Sequence, residues 1–180
     1  MKILAIPATN SHNGINRQLL GHAAYLLKGG LVANADIEFV DINDYEMPIY
    51  SPDREAENGV PEPARRLFDK IGSADAVIIS FAEYNGTYTA AWKNIHDWMS
   101  RIDMAVYQGR KVAMFAATPG PRAGAGVLGN ALAAAPFFGA ELIGSLGIPT
   151  FGQSFDAESG ELVDPDLRNR FEEILGALAG

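Results

Sequence analysis

The sequence predicts a doubly wound α/β fold, a five-stranded parallel sheet with helices on both faces. Three observations carry this expectation. Five short apolar runs alternate with five longer stretches whose apolar residues recur at helical spacing. The short runs are apolar almost throughout, as strands covered on both faces must be. No composition break divides the 180 residues, so residues 1–180 are expected to form one domain.

The elements follow in order. Lys2 to Pro7 is the first strand. Ile15, Leu19, Leu20, Ala23, Leu26 and Leu27 then form a helical stripe, stopped by Gly29-Gly30. Asp36 to Asp41 alternates as a second strand, and Ile42 to Val60, rich in Pro, Asp, Asn and Tyr, reads as irregular. Pro61 and Pro63 suit the first turn of a helix reaching Ile71. Asp75 to Phe81 is a central strand. Thr89 to Arg101 is a helix with Trp92, Ile95, Trp98 and Met99 on one stripe. Lys111 to Ala117 is the fourth strand, followed by a Gly-rich turn and an alanine-rich helix near Val127 to Phe138. Glu141 to Ile148 closes the sheet, and Asp164-Pro165 caps and opens the last helix. Two doubly wound arrangements fit this order, flavodoxin-like and a short Rossmann variant. In both, ligands bind beyond the carboxyl ends of the strands, where strand order reverses.

Composition narrows the chemistry. Zero cysteines exclude disulfides, thiolate metal sites and a Cys nucleophile, and fit a reducing cytoplasm. His12, His22 and His96 form no ligand-spaced pair, so no metal site is expected. A formal charge of −8 argues against nucleic-acid binding. The apolar opening Ile3 to Ala8 is too short for a signal peptide or membrane span, so no membrane insertion is expected.

Three loops lie at the carboxyl edge. The first, Ala8 to Arg17, is rich in hydroxyls and amides and opens onto a helix N-terminus, where free N–H groups and the helix dipole favour an anion. Thr9, Ser11 and the Asn16 amide are candidate phosphate donors there, beside Gly14 and Ile15. With Gly14 alone, the loop lacks G-x-G-x-x-G, and it has no Gly-Lys-Ser/Thr. Asp41 therefore reads as a solvated strand-end carboxylate. The second loop is Phe81-Ala82-Glu83-Tyr84-Asn85-Gly86-Thr87, followed by Lys93-Asn94 and Asp97-Trp98. The third is Thr118-Pro119-Gly120-Pro121-Arg122-Ala123-Gly124-Ala125-Gly126.

The second loop and its helix resemble the E-Y-N-G-S…K-N-x-x-D-W signature of the NADPH-dependent FMN reductase family. Glu83, Tyr84, Asn85, Gly86, Lys93, Asn94, Asp97 and Trp98 match, while Thr87 replaces the serine. The first loop is similar to the family's G-S-x-R-x-x-S-x-N, with Ala8, Thr9, Ser11 and Gly14 in place of glycine, serine, arginine and the second serine, and Asn16 matching. The third resembles S-P-G-x-x-G-G.

The resemblance implies a flavodoxin-like three-layer sandwich with strand order 2-1-3-4-5, binding FMN and NADPH or NADH. It implies an NAD(P)H oxidoreductase passing hydride to quinones, azo compounds, metal oxyanions or free flavin; the alternative is a flavodoxin-type FMN electron carrier. It places the phosphate on Thr9, Ser11, Gly14, Ile15 and Asn16. The ring goes on Ala82, Glu83, Tyr84, Asn85, Gly86, Thr118 and Gly120, with Glu83 facing outward or toward a sibling subunit. The cofactors carry the hydride, so no catalytic base or nucleophile is expected. Without the arginine, whose phosphate contact would be bidentate and charge-assisted, FMN is expected to exchange readily. The segment from Asn43 to Asp53 is expected to overhang the flavin and help form a homodimer, with a tetramer as the larger alternative. Trp92 and Trp98 are expected in the core or at a dimer contact.

Overall fold

The apolar runs become strands whose alternate residues face opposite ways. In the computed structural model, which describes residues 1–180, β1 (Lys2–Ala8) turns Leu4 and Ile6 to one side and Ile3 and Ala5 to the other. All four are fully buried. The same alternation runs through β3 (Ala76–Phe81) and β4 (Lys111–Ala117). With β2 (Asp36–Phe39) and β5 (Glu141–Ile148) they form a parallel sheet ordered β2-β1-β3-β4-β5, as expected.

The sheet separates two cores. One packs under α3 (Glu62–Gly72), α4 (Ala90–Met99) and α5 (Ala125–Ala134), and contains Trp92 and Trp98, each 1% exposed. The other packs under α1 (Ile15–Leu26) and the C-terminal helix Pro165–Gly176, where Phe115 meets Phe171 edge-on at 4.7 Å. Both tryptophans therefore belong to the core. The reversal of strand order between β1 and β3 opens the carboxyl edge to the loops after β1, β3 and β4.

The structure departs from the sequence expectation in three places. The segment Ile42 to Val60 is not irregular throughout. Asp41 caps a 3₁₀ turn, Ile42–Tyr45, and Ser51 caps α2 (Pro52–Asn58), its hydroxyl accepting from Arg54 N–H at 3.2 Å. No residue of α2 is buried, so it has no apolar period to read; only the Ser-Pro cap and the acidic first turn mark it. The alanine-rich helix starts at Ala125 and ends at Ala134, because Pro136 has no N–H with which to continue it. Between β5 and the last helix lie α6 (Phe151–Ser154) and a two-stranded hairpin, β6 (Phe155–Asp156) and β7 (Glu161–Leu162), ahead of α7 (Pro165–Gly176).

His96, on α4, sits edge-on to Phe138 at 4.4 Å, and burial pushes its pKa down from 6.5 to about 4. Its folded pKa is the lower one, so the unfolded chain takes up a proton first as pH falls. Stability contributed by neutral His96 is complete above pH 6.5 and is lost between there and about pH 4. Urea unfolding at pH 7 and 4.5 is expected to show a loss of about 2 kcal/mol from this group, absent in His96→Phe.

Candidate functional site

The three loops meet around a cleft of about 220 Å3. Thr9, Ser11, Gly14, Ile15 and Asn16 line it from the β1–α1 side, Ala82, Glu83 and Tyr84 from the β3–α4 side, and Thr118 from the turn after β4. Of the sequence-predicted residues, Asn85, Gly86 and Gly120 lie outside the lining. Ala117 and Pro119 line it and were not singled out, although they flank Thr118 in the same turn.

The β1–α1 loop presents an open helix end. Gly14 is the N-cap of α1, no side chain caps it, and its first turn carries no acidic residue. The first N–H groups of such a helix have no intrahelical partner and, with the dipole, attract an anion. Ser11 is exposed beside them, while the Thr9 hydroxyl accepts from Ser11 N–H at 3.2 Å. A Cβ at Gly14 would come no closer than 3.4 Å to Ser11, so glycine leaves space there rather than meeting a steric demand.

The Asn16 side chain corrects the expectation that it reaches the phosphate. It is 2% exposed and committed inward, its amide donating to the Ala117 carbonyl at 3.1 Å. Its oxygen accepts from the Ser80 hydroxyl at 2.7 Å and Ala117 N–H at 2.8 Å. One side chain thus ties the start of α1 to β3 and β4. Thr89 makes a parallel tie, capping α4 through Trp92 N–H and donating to the Ala8 carbonyl, both at 3.2 Å.

Arg17 supplies no charge to the loop. It pairs with Asp41 at 3.2 Å, with His12 3.9 Å from the same carboxylate. Asp41 is therefore paired and capping, not merely solvated. Burial alone would raise its pKa. Hydrogen bonds from the Asn43 backbone and side chain, with the charges of Arg17 and His12, hold it below the ordinary carboxylate range.

Glu83 also corrects an expectation. It turns inward, its carboxylate accepting from Val127 N–H at 2.9 Å, and its side chain is 9% exposed. No other side chain caps α5, whose N-cap Gly124 is left-handed at φ 68°. A carboxylate at an uncapped helix start gains both hydrogen bond and dipole, so Glu83 joins the second loop to the third. Arg122 stands 3.8 Å from it, 81% exposed. Glu83→Ala is expected to cost about 2 kcal/mol in urea unfolding and Glu83→Gln under about 1 kcal/mol, since the amide oxygen preserves the cap.

Beyond Glu83, Asn85 (φ 54°) and Gly86 (φ 81°) form a tight reversal closed by paired hydrogen bonds between Tyr84 and Thr87. Both central residues have positive φ, a demand that Asn-Gly meets. Tyr84 is left 52% exposed on the rim.

The K-N-x-x-D-W residues have a structural task. Asn94 donates to the carbonyls of Met47 (3.1 Å) and Pro48 (3.2 Å) and accepts from Tyr50 N–H at 2.9 Å. Trp98 donates to the Pro48 carbonyl at 2.7 Å. Lys93 and Asp97 form an ion pair one turn apart along α4. Asn94 and Trp98 hold the segment after β2 against α4, leaving Ile49 74% exposed. A second groove of about 200 Å3, with Asn10, Met47, Ile49 and Ala91 on its walls, lies between them.

The NADPH-dependent FMN reductase family matches residues 1–151. An NAD(P)H-dependent FMN reductase of Pseudomonas aeruginosa is 30% identical over 120 residues, 67% of this chain and 61% of that protein. A quinone reductase of Escherichia coli K12 is 32% identical over 80 residues, 44% of this chain and 43% of that one. The matched region thus spans less than two thirds of the length of these curated relatives. Among solved structures, the flavoenzyme NAD(P)H:(acceptor) oxidoreductase FerB of Paracoccus denitrificans superposes with a TM-score of 0.75 at 21% identity, covering 99% of this chain and 94% of that one. An azoreductase of Bacillus anthracis gives 0.69 at 18%, covering 99% and 98%. At these identities the likeness is one of fold, and the fold is flavodoxin-like. By its match across the sheet and all three edge loops, the chain belongs to the NADPH-dependent FMN reductase family.

Proposed function

We propose that this chain is an FMN-dependent NAD(P)H oxidoreductase that reduces a small-molecule acceptor such as a quinone or an azo compound. The observation that carries the reading is the uncapped N-terminus of α1 opening into a cleft walled by the Glu83–Tyr84 and Thr118–Pro119 turns. An anionic phosphate suits the helix end, and a flat ring suits the walls. Curated relatives include an FMN reductase and quinone reductases.

In this reading Ser11, the Thr9 hydroxyl and the backbone N–H groups from Gly14 to Asn16 hold the phosphate. Backbone groups of Ala82 to Gly86, with Thr118 and Gly120, meet the polar edge of the ring. When bound, FMN supplies two-electron chemistry, accepting hydride from NAD(P)H and passing it on. The chain's own task is to orient the ring and to keep an acceptor-sized opening over it. With only neutral donors at the phosphate and Arg17 spent on Asp41, FMN exchanges with solution.

Adding FMN to the protein is expected to give saturable quenching of flavin fluorescence, reversed by dialysis. A yellow protein that keeps its flavin through dialysis would overturn the exchangeable reading. NADH or NADPH oxidation with FMN and a quinone is expected at many turnovers; negligible turnover with bound flavin would favour the electron carrier. We further propose one domain acting as a cytoplasmic homodimer. The exposed Tyr84 on the cleft rim and the exposed Ile49 on the second groove support an interface on this face, and light scattering with Ile49→Glu tests it. No helix is long and apolar enough to cross a membrane.

A further inference from the structure

On the other side of the sheet from α4 and α5, α1 and the β6–β7 hairpin border a separate open cleft of about 490 Å3, larger than the one among the edge loops. Tyr25, 66% exposed, and Phe155 give it aromatic walls, and Gln18 and Glu161 give it polar ones. His22 lines it too, yet is only 3% exposed.

His22 is not explained by packing. Its ring lies parallel to Phe171, with centroids 5.8 Å apart, and Phe155 approaches at 80°. Neither Nδ1 nor Nε2 has a hydrogen-bond partner, and each has under 1 Å2 of accessible surface. A neutral imidazole has one donor and one acceptor to satisfy, and native interiors rarely leave both unmet. Phenylalanine would fill the same space between two phenyl rings without that cost. Burial lowers the His22 pKa from its ordinary 6.5, aided by Arg168 and opposed by Glu161 and Glu172, so the ring is neutral at pH 7.

We propose that this cleft is a second binding site, for a flat, uncharged or cationic aromatic compound carrying N–H or O–H donors, with His22 as its buried polar contact. The rings set the flat shape. The imidazole acceptor nitrogen sets the need for donors; Glu161 on the rim is paired with Arg168 at 3.3 Å, and the formal charge of −8 disfavours anions. A cleft of this volume suits one or two fused rings. The wall over the imidazole is the hairpin: its strands pair at Phe155–Leu162 and Asp156–Glu161, Phe155 and Leu162 sit in the core, and from α7 Arg168 donates to the Leu162 carbonyl and pairs with Glu161 at 3.3 Å. In this proposal the ligand draws the hairpin outward, releasing the Arg168 contacts, and so reaches the imidazole edge. The site rests on α1 and the hairpin alone and is independent of the flavin reading.

Benzimidazole is the probe, titrated into FMN-loaded protein and followed by saturation-transfer NMR. Two variants separate site from fold. His22→Phe preserves the ring packing but removes both nitrogens. Gly21→Leu projects into the cleft from α1, where an added Cβ meets nothing within 4 Å. Saturable binding is expected in the native protein, weakened about tenfold or more by His22→Phe. Gly21→Leu should abolish it, and both variants should still quench FMN fluorescence as the native chain does. Equal binding in all three proteins, no saturable binding to the native chain, or a signal in all three removed by NAD+ would each overturn the proposal.

Discussion

Asn16→Ala is expected to lower the melting temperature of the flavin-free protein by about 10 °C. The side chain makes three hydrogen bonds in a site that is 2% exposed, and alanine leaves the Ser80 hydroxyl and both backbone groups of Ala117 without partners. Each orphaned buried group costs about 1–3 kcal/mol, so a total of about 3–5 kcal/mol follows. A chain of this size loses about 2–4 °C per kcal/mol. Asn16→Asp fares no better, because it loses the amide donor to the Ala117 carbonyl and buries a charge. The measurement discriminates sharply. If the side chain acted chiefly on the FMN phosphate, thermal melts without flavin would be unchanged and only flavin affinity would fall.

Gly126→Ala is expected to weaken FMN binding by about tenfold to a hundredfold while leaving the protein folded. A Cβ at Gly126 would stand 2.4 Å from the Gly86 carbonyl oxygen and 3.0 Å from the Glu83 carboxylate. The first of these is backbone and cannot swing aside. The turn carrying Tyr84 to Thr87 must therefore shift relative to α5, and with it one wall of the cleft. Gly129→Ala is the matched control. It lies one turn further along α5, its added Cβ meets nothing within 4 Å, and better helix propensity should stabilise the chain by about 1 kcal/mol. Fluorescence titration with FMN and urea unfolding of both variants separate a displaced wall from a general loss of stability.

Sequence patterns reported some elements of this molecule and missed others, for physical reasons. β4 and β5 were legible to the residue: β4 because a buried strand must be apolar, and the half-exposed edge strand β5 because Gly139 and Pro149 bracket it. α2 escaped because it buries nothing. The β6–β7 hairpin escaped because its strands are two residues each, too short for any period. At the site, the residue types in all three loops and their convergence at the sheet edge were readable. Which way those side chains turn was not. Glu83 was expected to face outward or toward a sibling subunit, since a carboxylate beside a reduced flavin is unfavourable; the structure instead gives it the uncapped start of α5.

What the sequence determined by itself is the doubly wound sheet, the family and the three loops that make its edge, since these rest on local period and motif. What only the tertiary structure decided is the employment of individual polar groups. Asn16 serves Ala117 across 101 positions, Glu83 serves Val127 across 44, and His22 serves no partner in its own chain. Hydrogen-bond capacity is written in residue type, but the partner is set by which segments the packed sheet brings together. A buried polar group must find that partner wherever folding places it.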